Sequence, residues 1–304
     1  MTKTLTIATR ESKLALWQAY FVRDQLMQAH PELNVELLGM TTKGDQWLSA
    51  SLSEVGGKGL FVKELEVAML EGRADIAVHS VKDLPAQMPS GFVLPIIAFR
   101  ADVEDVLVSP KGDLARLPQG ARVGSSSLRR KSQLLAIRPD LDLQPVRGNV
   151  GTRLAKLDSG EFDAIVLAAA GLKRLGIERR DLYTLDIETC LPAPGQGALG
   201  IECRADAELL NWLAPLKDHN VAQCVEAERG ISAGLGADCS LPVAAHATLD
   251  GSGDILLRAL VASADGGQIL RASARGADPK NVAADAVAQL YDQGADALLA
   301  ALRA

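Results

Sequence analysis

Six arginines carry the chemistry that can be read first: Arg10, Arg129, Arg130, Arg147, Arg153 and Arg174. Each falls near an expected strand-to-helix turn. A guanidinium fork binds a carboxylate or phosphate through two parallel N–H bonds, and the free N–H groups at a helix start favour the same anions. The fullest example is Gly124-Ser125-Ser126-Ser127-Leu128-Arg129-Arg130, which follows a short apolar run and opens a helix. A serine-capped helix with two solvated arginines would give the same string. Recurrence at Arg147-Gly148-Asn149-Val150-Gly151-Thr152-Arg153 and Gly171-Leu172-Lys173-Arg174 favours a polyanion site. No phosphate loop or dinucleotide glycine pattern occurs.

A second constellation is His79-Ser80-Val81-Lys82-Asp83-Leu84-Pro85, at the C-terminal end of an expected strand. Ligand clefts of open α/β sheets form at such ends. Asp83 there could stabilise a cation or move a proton, although an isolated aspartate more commonly caps a turn. His79 reads as a packed strand residue. Lys58, in Gly56-Gly57-Lys58-Gly59, sits on a flexible support beside a helix start.

Of four cysteines, Cys190, Cys203 and Cys224 fall in apolar or helical surroundings and read as buried and inert. Cys239 differs. It lies in Gly234-Leu235-Gly236-Ala237-Asp238-Cys239-Ser240-Leu241-Pro242, a small-residue loop between a helix and a strand, where a thiol could anchor a group covalently. No Cys-x-x-Cys pair exists and the histidines are scattered, so no metal centre is expected.

The elements that must position these groups alternate. Strands are expected at Thr4–Thr9, Val35–Met40 and Asp75–His79, with helices at Ser12–Ala29 and Leu60–Leu70. Ser12 is the N-cap of the first helix, and His30-Pro31 ends it. The pattern repeats with strands at Val106–Val108, Arg122–Val123, Leu143–Val146 and Ala164–Leu167 and helices from Ser125 to Ile137 and over Val150–Leu157. Such alternation predicts two α/β lobes with mostly parallel sheets. Leu191–Gly197 reads as a crossover linker, and Leu199–Cys203 as a strand returning to the first lobe. From about Val221 a helix, three strands and a terminal helix interrupted near Gly294 predict a small α+β domain. The expected domains are 1–98 with 198–216, 103–192, and 220–304.

The chain has 304 residues, 48% of them hydrophobic, enough for two or three globular domains. Its net charge of −6 gives no global basic field, so no nucleic-acid partner is expected and the arginines must act locally. No secretory signal or apolar run of about twenty residues appears, so a cytoplasmic location with no membrane partner is expected.

Glu54-Val55-Gly56-Gly57-Lys58-Gly59-Leu60-Phe61, His79–Pro85, Gly124–Arg130, Arg147–Arg153 and Leu191–Gly197, in this order, closely resemble the porphobilinogen deaminase (hydroxymethylbilane synthase) family. The similarity runs over nearly the whole chain and is weakest after about Val243. It implies two lobes like those of periplasmic binding proteins, with an active site between them, and a third domain bearing a dipyrromethane cofactor on a thioether. The implied reaction is a head-to-tail condensation of four porphobilinogen molecules with loss of ammonia, then hydrolysis to linear hydroxymethylbilane, in tetrapyrrole (haem) biosynthesis.

By match to the family motifs, Cys239 is the attachment residue and Asp83 the catalytic carboxylate. Lys82, Asp83, Ser127, Arg129, Arg130 and Arg147 are matched to cofactor binding. Arg10, Ser12, Arg147, Arg153 and Arg174 are matched to the substrate carboxylates, and Lys58 to a mobile loop. The family usually has Gly-Gly where this chain has Ala237-Asp238. A monomer is implied. The rival reading is a non-enzymatic two-lobed protein that binds a small polycarboxylate.

Overall fold

The computed structural model describes residues 3–41, 62–238 and 240–303. These divide into two compact units. The first comprises the chain up to Arg100 together with Ala198–Ala222; the second comprises Ala101–Gly197 and Gln223 onward. The second α/β segment and the C-terminal segment fall in one unit.

The first unit is built on β1 (Lys3–Arg10), α1 (Lys13–Ala29), β2 (Leu33–Met40), α2 (Lys63–Leu70), β3 (Ile76–Ser80), β4 (Phe92–Ala98) and β10 (Leu199–Arg204). Its sheet has the order β2-β1-β3-β10-β4. β1 runs parallel to β2 and β3, while β10 is antiparallel to both β3 and β4. Four of the five strands therefore point the same way. Ile7, Leu26, Ile76, Ile96 and Ile201 are all almost wholly buried in its core.

β4 is not among the expected strands, and its residue Pro95 explains why. Proline cannot donate to a ladder and is confined to edges and irregularities. β4 is the edge strand, and the register shifts opposite Pro95, between Ile201 and Cys203.

The second unit holds two sheets. Its larger sheet is formed by β5 (Asp105–Val108), β6 (Arg122–Gly124), β7 (Asp142–Gln144), β8 (Ala164–Ala168) and β9 (Leu182–Leu185), in the order β7-β6-β8-β5-β9. β6 is parallel to β7 and β8, and β5 antiparallel to β8 and β9. The reversed strand stands fourth, as in the first sheet, so the expected likeness of the two lobes is present as strand order. Helices α3 (Leu128–Ile137), α4 (Val150–Asp158) and α5 (Ala169–Arg174) follow β6, β7 and β8. α6 (Ala207–Leu213) lies in the first unit, and α7 (His219–Gly234) begins there, although most of it belongs to the second.

The smaller sheet, β11 (Val243–Leu249), β12 (Ile255–Ala262) and β13 (Ile269–Gly276), is antiparallel throughout. α8 (Pro279–Asp292) and α9 (Ala295–Arg303) break at Gly294, as expected. Val282, Ala286 and Leu290 of α8 share a core with Ala227 and Ile231 of α7 and the apolar face of this sheet.

Two contacts fix the smaller sheet to the arginine-bearing segment. Leu191 packs with Ala244, Leu260 and Ala262. The turn between β12 and β13 presses on α3 at Gly266, whose φ is +74° and where a Cβ would stand 2.2 Å from the Ser132 carbonyl oxygen. Only glycine permits both that backbone and that approach.

Candidate active site

In the first unit, the expected residues gather at the C-terminal ends of two adjacent parallel strands. Arg10 is the last residue of β1, and Ser12 caps α1 by accepting the Ala15 N–H at 3.3 Å. Lys82 and Asp83 form a single 3₁₀ turn, Val81–Asp83, directly after β3. β1 and β3 are neighbours, so all four residues lie at one edge of the sheet. Gln18 of α1 donates to Ser80 Oγ at 2.9 Å and ties the helix to the end of β3. Asp83 is exposed, and its carboxylate meets no hydrogen-bond or ion-pair partner among the described residues. His79 is 8% exposed and shares a 2.8 Å hydrogen bond with the fully buried Glu202. It is a packed residue, as expected.

In the second unit, three neighbouring parallel strands each deliver an arginine-bearing segment at their C-terminal ends. β6 leads through Ser125–Ser127 into α3. The Ser126 hydroxyl donates to Val146 O at 2.8 Å, and Ser125 Oγ accepts the Ser127 N–H at 3.3 Å. Ser127 occupies the N-cap position, but its side chain makes no capping bond. Its hydroxyl is therefore not engaged by the helix it precedes.

β7 leads to Arg147 and then to α4, capped by Asn149 Oδ1, which accepts the Thr152 N–H at 2.9 Å. Arg153 Nε donates back to Gly148 O at 2.7 Å and braces that turn. Arg147 is half-buried and has no partner among the described residues. β8 leads into α5, which ends at Arg174. Arg174 is 8% exposed and donates to Gly197 O at 2.6 Å. Burial pulls its guanidinium down to about 10, which still leaves it cationic at neutral pH.

Arg129 and Arg130 are not the solvated pair that a capped surface helix would carry. They are 4% and 7% exposed. Arg129 Nη2 reaches Asp105 Oδ2 at 2.8 Å, and Arg129 Nη1 donates to Leu191 O at 2.8 Å. Arg130 Nη2 reaches Asp105 Oδ1 at 2.6 Å, and Arg130 Nη1 donates to Val166 O at 3.0 Å. Arg130 Nε is buried without a partner among the described residues. Burial works against the Arg129 charge, but Asp105 and the Cys190 sulfur more than offset it, and the guanidinium is held above its ordinary value.

The linker 190–197 is stitched to the same place. Gln133 of α3 takes the Leu191 N–H on Oε1 at 2.8 Å and donates to Leu191 O at 3.1 Å. Glu228 of α7, fully buried, accepts the Gly195 N–H and the Ala247 N–H, each at 2.7 Å. Sequence reasoning missed Asp105, Gln133, Gln196 and Glu228. A lone aspartate heading the apolar run Val106-Leu107-Val108 was the one signal for the first of these.

Cys190, Cys203 and Cys224 are buried, as expected. Burial, and then the Asp105 charge, pushes the Cys190 thiol up to about 12, and burial pushes Cys203 up to about 11. Neither forms a thiolate at neutral pH. Lys58 and Cys239 lie outside the described residues. Among the described residues no helix is long and apolar enough to cross a membrane.

Solved structures with similar folds include the probable amino-acid ABC transporter extracellular-binding protein YtmK from Bacillus subtilis. It has 11% identity and a TM-score of 0.45, with 71% of this chain and 90% of that one covered. The periplasmic aliphatic sulphonate binding protein SsuA from Escherichia coli has 15% identity and a TM-score of 0.39, with 77% and 70% covered. Relatives by sequence are far closer. Porphobilinogen deaminase of Thiobacillus denitrificans is 53% identical, with 99% of each chain covered. That of Burkholderia thailandensis is 53% identical, with 98% of this chain and 93% of its own covered.

Residues 5–211 match the family model for the porphobilinogen deaminase dipyromethane cofactor binding domain, and residues 222–292 match that for its C-terminal domain. With both models matched in order and an identity of 53% over nearly the full length, the chain belongs to the porphobilinogen deaminase family.

Proposed function

We propose that this chain, a transferase of tetrapyrrole biosynthesis, condenses porphobilinogen into hydroxymethylbilane using Asp83, the strand-end arginines and a dipyrromethane on Cys239. The observation that carries the assignment of residues is the run of three adjacent parallel strands, β7, β6 and β8, each ending in an arginine-bearing segment. Porphobilinogen has an acetate and a propionate on its ring, and a dipyrromethane has four such groups. A chain of them is a polyanion, and the second unit concentrates cationic donors at one sheet edge.

The donors fit the group. Arg130 Nε is a buried N–H without an acceptor, the Ser127 hydroxyl makes no cap bond, and Arg147 has no partner among the described residues. A carboxylate can accept from the Arg147 guanidinium and from the Ser127 hydroxyl. Ser127, Arg129, Arg130 and Arg147, with Lys82, would hold the cofactor. When bound, the cofactor supplies the pyrrole α-carbon from which the chain starts.

Arg10, Ser12, Arg147, Arg153 and Arg174 orient the incoming porphobilinogen by its carboxylates. Loss of its ammonia leaves an electron-poor methylene pyrrole, and positive charge spreads over the ring nitrogens. Asp83, exposed and unpartnered after β3, accepts the pyrrole N–H hydrogen bonds and stabilises that charge. We further infer a cytoplasmic monomer without a nucleic-acid partner, for which the family resemblance and the absence of a basic field are the support.

Purified protein given porphobilinogen should release ammonia and a linear tetrapyrrole, and intact mass should show a covalent adduct of two pyrroles. A protein that binds porphobilinogen, carries no adduct and releases no ammonia would be the non-enzymatic carboxylate binder instead.

The arginines should separate by stability. Arg147→Leu removes no described contact, so thermal unfolding should stay within about 0.5 kcal/mol of the parent while KM rises. Arg129→Leu strips a partner from fully buried Asp105 and should cost about 3–5 kcal/mol. Equal losses of stability in both variants, read by denaturant titration, would contradict this division.

A further inference from the structure

We propose that Asp105 is a positioning residue: it holds Arg129 and Arg130 in place and neutralises only one of their two charges, leaving the pair set to receive a ligand carboxylate. The inference rests on the reading above, in which these arginines hold the cofactor's carboxylates.

Asp105 is the first residue of β5 and is wholly buried. Its Oδ1 accepts from Arg130 Nη2 at 2.6 Å and from Gln196 Nε2 at 3.1 Å. Its Oδ2 meets Arg129 Nη2 at 2.8 Å and the Cys190 thiol at 3.5 Å. A carboxylate offers about four lone-pair sites, and all four are engaged. Two of the donors are cations and two are neutral, because Cys190 keeps its proton.

One carboxylate therefore serves two guanidiniums. Buried charges are stable when paired, and among the described residues this cluster falls one anion short. It is also one acceptor short, at Arg130 Nε. A ligand carboxylate brought to the arginine pair would supply the missing charge.

The position of Asp105 in the sheet supports the same role. It pairs with Ala168 on β8 and Leu185 on β9, and Ala168 is the residue at which β8 passes into the helix bearing Arg174. Gln196, which binds Asp105, also donates to Val103 O at 2.6 Å, and the next residue, Gly197, accepts from Arg174. Asp105 thus stands where the supports of Arg129, Arg130 and Arg174 meet. Without its charge, two cations would face each other in a dry core, with the Leu191 and Val166 carbonyls left to hold one end of each fork.

A structural role and a positioning role separate in one measurement, the rise in melting temperature that the cofactor confers on full-length apo-protein. A residue that only stabilises the fold lowers apo and holo forms alike and leaves that rise unchanged. Asp105→Asn should cut the rise to less than half and slow cofactor loading of the apo-protein, followed by intact mass, roughly tenfold or more, as loss of a charge-assisted contact does. If Asp105→Asn does not fold, Asp105→Glu keeps the charge inside but moves the carboxylate by one methylene, and it should cut the rise in the same way.

Arg130→Gln, measured alongside, tests the reading beneath. A reduced rise in Arg130→Gln together with a full rise in the Asp105 variants overturns the positioning role alone. A full rise in Arg130→Gln overturns the assignment of that arginine to the cofactor, and the positioning role with it.

Discussion

Asp83→Asn is expected to give a folded, cofactor-loaded protein whose turnover of porphobilinogen falls by a factor of about 100 or more. The expectation joins two features. Asp83 stands at the C-terminal end of β3, on the sheet edge it shares with Arg10 and Ser12, and its carboxylate is exposed with no partner among the described residues. A carboxylate that supports the fold would be paired or capping, and its loss would orphan a donor. Here no such loss follows, so stability should remain within about 0.5 kcal/mol of the parent.

The cost should appear only when positive charge develops on the reacting pyrroles. Asparagine keeps the shape and one acceptor oxygen but carries no charge to stabilise a cation, a difference worth several kcal/mol in a site from which water is excluded. Single-turnover ammonia release separates the outcomes. A rate within a few-fold of the parent, in protein shown by mass to be loaded, would remove Asp83 from the chemistry.

The sequence reading and the structure agree where a local signal decides the outcome. Ser12 announces the start of α1 because a short hydroxyl side chain can accept an N–H one turn on. Ala164–Leu167 reads as a strand from its unbroken apolar run, and the strand found, Ala164–Ala168, is buried on both faces, where no polar alternation is needed. The arginine positions are legible for the same reason: each follows such a strand closely.

What the sequence does not show is how far the arginines are buried. Arg129 and Arg130, in the first turn of a helix, look like surface residues. Their concealment depends on Asp105, Cys190, Leu191 and Gln196, which lie 25 to 91 positions apart from their partners in the chain. No short-range pattern encodes such a cluster. β4 escaped for the opposite reason. Pro95 is a genuine local signal against a strand, and only the edge position of that strand makes it tolerable.

Cys239→Ser should give a protein without the two-pyrrole adduct and without activity, and with a lower melting temperature than the parent, because the cofactor's carboxylate contacts exist only in the native state and stabilise it. The other three cysteines support the choice of Cys239 by their own chemistry. Cys190 and Cys203 are 0% exposed, with thiols pushed up to about 12 and 11, and Cys224 is 6% exposed within α7. A thioether forms through a thiolate that its partner can reach; Cys190 and Cys203 supply neither, and Cys224 is buried.

The described residues on either side of Cys239 make hydrogen bonds of their own. The Ala237 N–H donates to Ser232 O at 2.8 Å. Asp238 Oδ1 accepts the Ser240 N–H at 2.9 Å, and the Leu241 N–H donates to Asp238 O at 3.2 Å. Neither Ala237 nor Asp238 has a positive φ. The conformation therefore does not require the glycines usual at these places in the family, and Asp238 adds a turn-forming acceptor that glycine lacks. Peptide mapping of the active protein should place the adduct on the peptide containing Cys239 and on no other. Hydroxymethylbilane synthesis by Cys239→Ser, or an adduct found on Cys190, Cys203 or Cys224, would refute the assignment.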